Sequence, residues 1–154
     1  MSLRKLVCAA AVVVCMGFAA NAADISSNAL GIRGLFSSGA GVELNYQTTA
    51  LLGPRVEIGA SWDFNTDYIG VGAYWHFLHS NITSGLNWYV GAGPYVSIAD
   101  NYFGVGGQVP VGIEFNFNSV GVPILLSLDA RPGLSILEST GFIWDVGLGI
   151  RFTF

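Results

Sequence analysis

From Leu30 to the end of the chain, apolar and polar residues alternate with a period of two, and the alternation recurs in eight runs. The last run is the plainest. Phe142, Trp144, Val146, Leu148, Ile150, Phe152 and Phe154 share one side; Ile143, Asp145, Gly147, Gly149, Arg151 and Thr153 share the other. Period two is the signature of a β-strand with one apolar and one mostly polar face. The earlier runs span about 30–36, 42–48, 55–64, 68–78, 86–98, 102–117 and 123–135, separated by clusters of Gly, Asn, Ser, Asp and Pro. Eight antiparallel strands with short connections predict an all-β fold, a closed up-and-down barrel.

Alternation alone leaves two versions open. A lipocalin-like secreted binder turns its apolar face inward; an outer-membrane barrel turns it to lipid. The polar face separates them. It carries glycine in bulk (Gly59, Gly70, Gly72, Gly91, Gly93, Gly104, Gly106, Gly112, Gly147 and Gly149), tyrosines, and charges of both signs. Glycines between large side chains suit a narrow, filled interior. The apolar face carries Trp62, Trp75, Trp88 and Trp144 near strand ends, the placement of an aromatic girdle at a membrane interface.

Composition sharpens this picture. The first 22 residues have a basic start (Arg4, Lys5), an apolar run from Leu6 to Ala20 and a small-residue site at Ala20-Asn21-Ala22. That is the layout of a cleaved secretory signal peptide, leaving 23–154 as the barrel domain. Bulky Val14 before Cys15 fits a lipidation site poorly. Cleavage would remove Cys8, Cys15 and Lys5. Four arginines would then face ten acids, a net charge of −6, which excludes the basic face that nucleic-acid binding needs. At 10% charged residues the chain is too poor in charge to cover itself like a soluble domain, where about a quarter to a third of the surface is charged.

The chain resembles the small eight-stranded outer-membrane proteins of Gram-negative bacteria, the OmpA transmembrane-domain and OmpX type. Val146, Leu148, Ile150, Phe152 and Phe154 match the terminal strand of that family position by position. The resemblance implies that this strand is the signal read by the barrel-assembly machinery. It also implies export to the outer membrane, periplasmic chaperones during biogenesis, contact with outer-membrane lipids and lipopolysaccharide, and a monomeric, porin-like architecture.

Candidate chemistry is sparse. The alternation points Arg33, Glu43, Arg55, Glu57, Asp63, Glu114, Asp129, Arg131, Asp145 and Arg151 inward, where charges must pair. Arg131 is expected beside Asp145, and Arg151 near Arg33. The reading is a packed salt-bridge plug, with a gated ion path or small-solute pore as the alternative. His76 and His79 raise the possibility of a lipid A-modifying enzyme. In His79-Ser80-Asn81, however, a strand would point His79 and Ser80 to opposite faces, and the stretch from His79 to Gly85 reads as a turn. Nothing in the spacing suggests a catalytic, metal or cofactor site. The outer connections fall near 37–41, 64–67, 98–102 and 133–141, all short for an adhesin or receptor. The expected role is structural and non-enzymatic.

Overall fold

The computed structural model describes residues 28–37, 39–51, 55–137 and 140–154. The signal-peptide segment and both cysteines lie outside them. Eleven strands make up the wall: β1 (Asn28–Phe36), β2 (Ala40–Thr48), β3 (Arg55–Asp63), β4 (Ile69–Thr83), β5 (Leu86–Ala99), β6 (Tyr102–Gln108), β7 (Val111–Asn116), β8 (Ile124–Ala130), β9 (Gly133–Ser135), β10 (Gly141–Ile143) and β11 (Val146–Thr153). They form eight staves, because β6 with β7, β8 with β9 and β10 with β11 are each one run broken once. Two of the breaks fall at Pro110 and Pro132, which have no N–H for a ladder; the third falls at Trp144-Asp145. The wall stays bonded across them: Gly91 N–H donates to Pro110 O, Val109 N–H to Pro132 O and Arg131 N–H to Asp145 O, each at 2.8 Å.

Every stave pairs antiparallel with its neighbours. β1 pairs with β2 on one side and β11 on the other, and β5 pairs with both β6 and β7, so the sheet closes on itself. This is the closed eight-stranded antiparallel barrel that the alternation predicts. Closure runs to the last residue. Asn28 and Phe154 exchange N–H···O bonds at 3.2 and 3.0 Å.

The faces follow the alternation. Leu30, Ile32, Leu44, Ile58, Val71, Leu128, Leu148 and Ile150 are exposed on the outside. The interior is filled with polar side chains, and Arg33, Arg55, Arg131 and Arg151 are among the most deeply buried. The lipocalin-like arrangement, with the apolar face inward, is thus reversed.

Three boundaries differ from the sequence reading. The stretch from His79 belongs to β4, which continues to Thr83, and the turn is only Ser84-Gly85, with Gly85 at a φ of 78°. The connection expected over 133–141 is shorter, because Gly133–Ser135 pairs with both β6 and β10. The third difference is a register shift in β4 between Trp75 and Leu78. A β-bulge of this kind adds one residue and flips the facing of everything beyond it.

Candidate functional site

That bulge has a chemical result. His76 points inward by the parity of the first half of β4. His79, three residues on and of opposite parity, points inward too, opposite Tyr89. Both imidazoles therefore join the interior. His79 Nε2 lies 2.8 Å from Glu114, His76 Nε2 lies 3.4 Å from Glu57, and the His76 ring stacks on Tyr89 at 4.5 Å. The sequence signal for the bulge is the adjacent apolar pair Phe77-Leu78, which breaks the alternation.

The interior has two linked layers. Toward the chain termini, Arg55 makes a bidentate pair with Glu114 at 3.0 and 2.8 Å, and its guanidinium lies 3.0 Å from His76 Nδ1. Arg151 donates to Asn45 and Ser127, each at 2.6 Å, and lies 3.6 Å from Glu57. In the second layer Arg131 bridges Glu43 (3.0 Å) and Glu57 (2.5 Å), approaches Asp129 at 3.4 Å, and lies 4.7 Å over the Tyr74 ring. Arg33 pairs with Asp129 and, at 2.6 Å, with Asp145. Tyr89 donates to Asp129 at 2.8 Å.

Arg131 lies beside Asp145 as expected, its N–H donating to Asp145 O at 2.8 Å, while the Asp145 carboxylate pairs with Arg33. Arg151 lies on the same closing seam as Arg33 but holds a different set of partners. Asp63 also departs from the expected network. It sits at the end of β3, and its carboxylate accepts from the N–H groups of Asn65 (2.9 Å) and Thr66 (3.0 Å), capping the turn. The other expected interior charges, Arg33, Glu43, Arg55, Glu57, Glu114, Asp129, Arg131, Asp145 and Arg151, all join the ion pairs above. The uncharged members, Asn45, Gln47, Tyr74, Tyr89, Gln108 and Ser127, lie on the face the alternation turns inward, but nothing in the sequence indicates their partners.

Glycine makes room for this packing. A Cβ on Gly147 would land on the Arg33 guanidinium, and one on Gly72 would land on the Tyr74 ring. Small residues stand where large side chains cross the lumen.

The four tryptophans lie on the outer face, at two levels. Trp62 and Trp144 are near the end of the barrel opposite the termini; Trp75, opposite Val56, and Trp88, opposite Ser80, are near the other end. Val146, Leu148, Ile150, Phe152 and Phe154 also face outward, and the last two rings stack at 6.3 Å.

Above the second layer, at the end opposite the termini, the filling stops. A vestibule of about 370 Å³ opens there. Its floor is Glu43, Gln108 and Asp145, the upper edge of the ion-pair network, and its walls include Ser61, Asp63, Tyr68, Tyr95, Ser97 and Tyr102. Neither histidine lines it, so among the described residues both lie beneath the plug and away from this opening.

Neither a family model nor a curated protein matches the sequence. A solved structure does match: the N-terminal β-barrel domain of Pseudomonas aeruginosa OprF, at a TM-score of 0.61 and 14% identity, covering 84% of this chain and 98% of that one. What the chain shares with that domain is its fold, the closed eight-stranded barrel of the OmpA type to which its sequence pattern is similar.

Proposed function

We propose that this protein is an integral outer-membrane barrel with a sealed interior and a structural, non-enzymatic role in the membrane. One observation carries the reading: the whole circumference is apolar outside, while four buried guanidinium groups and five carboxylates are paired inside. In water that arrangement would expose a continuous belt of Leu, Ile, Val and Trp, far beyond the few hundred Å² that soluble monomers tolerate. In a bilayer the staves pair around the ring and give lipid the apolar face.

The interior is a plug because its charges hold each other across the lumen. Arg33 reaches Asp129 and Arg131 reaches Glu43 and Glu57 from different staves, which supports a lumen filled at these layers. Export through the 1–22 leader, assembly read from the Val146–Phe154 strand, a lipid and lipopolysaccharide environment, and a monomeric state complete the proposal.

The test is electrophoresis of the outer-membrane fraction in SDS, boiled against unboiled, followed by conductance in planar bilayers. The proposal expects a heat-dependent mobility shift and no steady conductance. A protein recovered in the soluble fraction without a shift overturns the membrane reading. A steady, ohmic conductance overturns the sealed interior and favours a small-solute pore.

A further inference from the structure

Among the described residues, the strand pairing around the vestibule stops short on one side. The ladder between β1 and β11 ends at the pair Phe36–Val146. Beyond it the eighth stave continues as β10, which among the described residues pairs only with β9 and forms the edge of the sheet. The vestibule lies against this gap. Leu35 and Ser37 line it from the first stave, and Phe142, Ile143 and Trp144 from the eighth. The cavity thus reaches this gap, where Leu35 on one side and Phe142, Ile143 and Trp144 on the other are apolar. Trp144 faces outward at this level, the depth at which indole rings sit among lipid headgroups. The inference takes its orientation from the membrane reading above.

The chemistry of the opening is one-sided. Glu43, Asp63 and Asp145 line it and no arginine does. The connections at the same end add Asp67 and Asp100, and the sequence places no lysine or arginine in any of them. All four arginines of the barrel domain are committed to the plug below. Arg131 and Arg33 pair with Glu43 and Asp145 at the floor, and Asp63 has no cationic partner among the described residues, so the opening keeps a net negative charge. Tyr68, Tyr95 and Tyr102 add aromatic faces, and the first and last of them pack edge to face at 5.2 Å. Aromatic rings beside carboxylates are the surroundings that ammonium groups favour. The cavity volume falls within the range of about 300–1,000 Å³ typical of small-molecule sites.

We infer that the vestibule is a binding site for a single-chain amphiphile with a cationic ammonium head, reached sideways from the membrane. The head sits between Asp63, Asp145 and the tyrosines. The alkyl chain leaves through the gap between Leu35 and Phe142–Trp144 into the lipid.

The test uses the full mature barrel in phosphatidylcholine nanodiscs, with Trp62, Trp75 and Trp88 changed to Phe so that Trp144 reports alone. The probes are dodecyltrimethylammonium, dodecyl sulfate and tetramethylammonium, titrated below their micellar range. The expected result is a saturable change in Trp144 emission with dodecyltrimethylammonium, at least tenfold weaker with either of the other two. It should also weaken at least tenfold in the Asp63→Asn/Asp145→Asn double variant. Tyr102→Leu serves as a second variant that leaves every ion pair intact. Equal response to dodecyl sulfate would mean simple partitioning, and equal response to tetramethylammonium would mean a site fed from water; either overturns the inference. So does an unchanged response in both variants, or no saturable response. Insertion is checked separately by the heat-dependent gel shift. A barrel that fails to insert counts against the membrane reading, whereas an inserted barrel that ignores the probe counts against the site alone.

Discussion

Removing Arg131 should destabilise this barrel more than removing any single outward residue. Its guanidinium is the only group described that bridges Glu43 and Glu57, and it also approaches Asp129 and covers the Tyr74 ring. In Arg131→Met the aliphatic volume is roughly kept, but two buried carboxylates lose their nearest cation. Breaking a buried ion pair by deleting one partner costs about 3–5 kcal/mol. Compensation here is partial. Glu57 keeps Gln47 at 2.7 Å and Arg151 at 3.6 Å, and Glu43 keeps Asn45 at 3.1 Å and Arg33 at 3.9 Å. The expected loss is therefore near the lower bound, about 3 kcal/mol. With a urea slope of about 1–3 kcal/mol per molar, the unfolding midpoint should fall by at least about 1 M. The assay is reversible urea unfolding in lipid vesicles, followed by tryptophan emission and the gel shift. The triple variant Glu43→Gln/Glu57→Gln/Arg131→Met should recover most of the loss, because removing a whole buried ion cluster is often close to neutral. A single variant that shifts the midpoint by less than about 0.3 M would refute the reasoning, since the carboxylates would then not depend on Arg131.

Other expectations follow from the same geometry. Gly147→Leu drives a side chain into the Arg33 guanidinium and should destabilise by about 1–3 kcal/mol, read as a lower urea midpoint. Ile58→Arg puts a charge on the lipid face halfway along β3 and should cost about 2–4 kcal/mol in vesicles; a neutral result would argue that this face meets water. Phe154→Ala should lower the amount of protein in the outer membrane while leaving the refolded barrel nearly as stable in vitro, measured by quantitative blotting beside urea titration.

How far the sequence reaches can be seen stave by stave. In β1 to β3 the parity of single residues is enough: Glu43 faces in and Leu44 out, Glu57 in and Ile58 out, because nothing interrupts a period of exactly two residues. Closure is legible too, since a strand running to Phe154 needs a partner. Parity gives facing but not height or the partner across the lumen. Arg33 and Asp129 are 96 residues apart and meet only because closing the sheet brings β1 and β8 to either side of β11. No pattern along one strand contains that stagger. His79 was hidden for a different reason, the bulge at Phe77-Leu78, which reverses parity for the rest of β4. The vestibule was hidden as well. Its side gap depends on the β1 ladder ending at Phe36–Val146, before the level of β10, which is a matter of relative strand length around the ring rather than of any residue type.

Tryptophan quenching by brominated lipid tests most directly which face of the barrel meets lipid. The four tryptophans lie outside the barrel at two levels. In vesicles of phosphatidylcholine brominated along the acyl chains, the folded protein should lose most of its tryptophan emission, and a water-soluble quencher should have little effect. Emission untouched by brominated lipid but quenched from water would contradict the membrane reading, because the apolar belt would then not face a membrane.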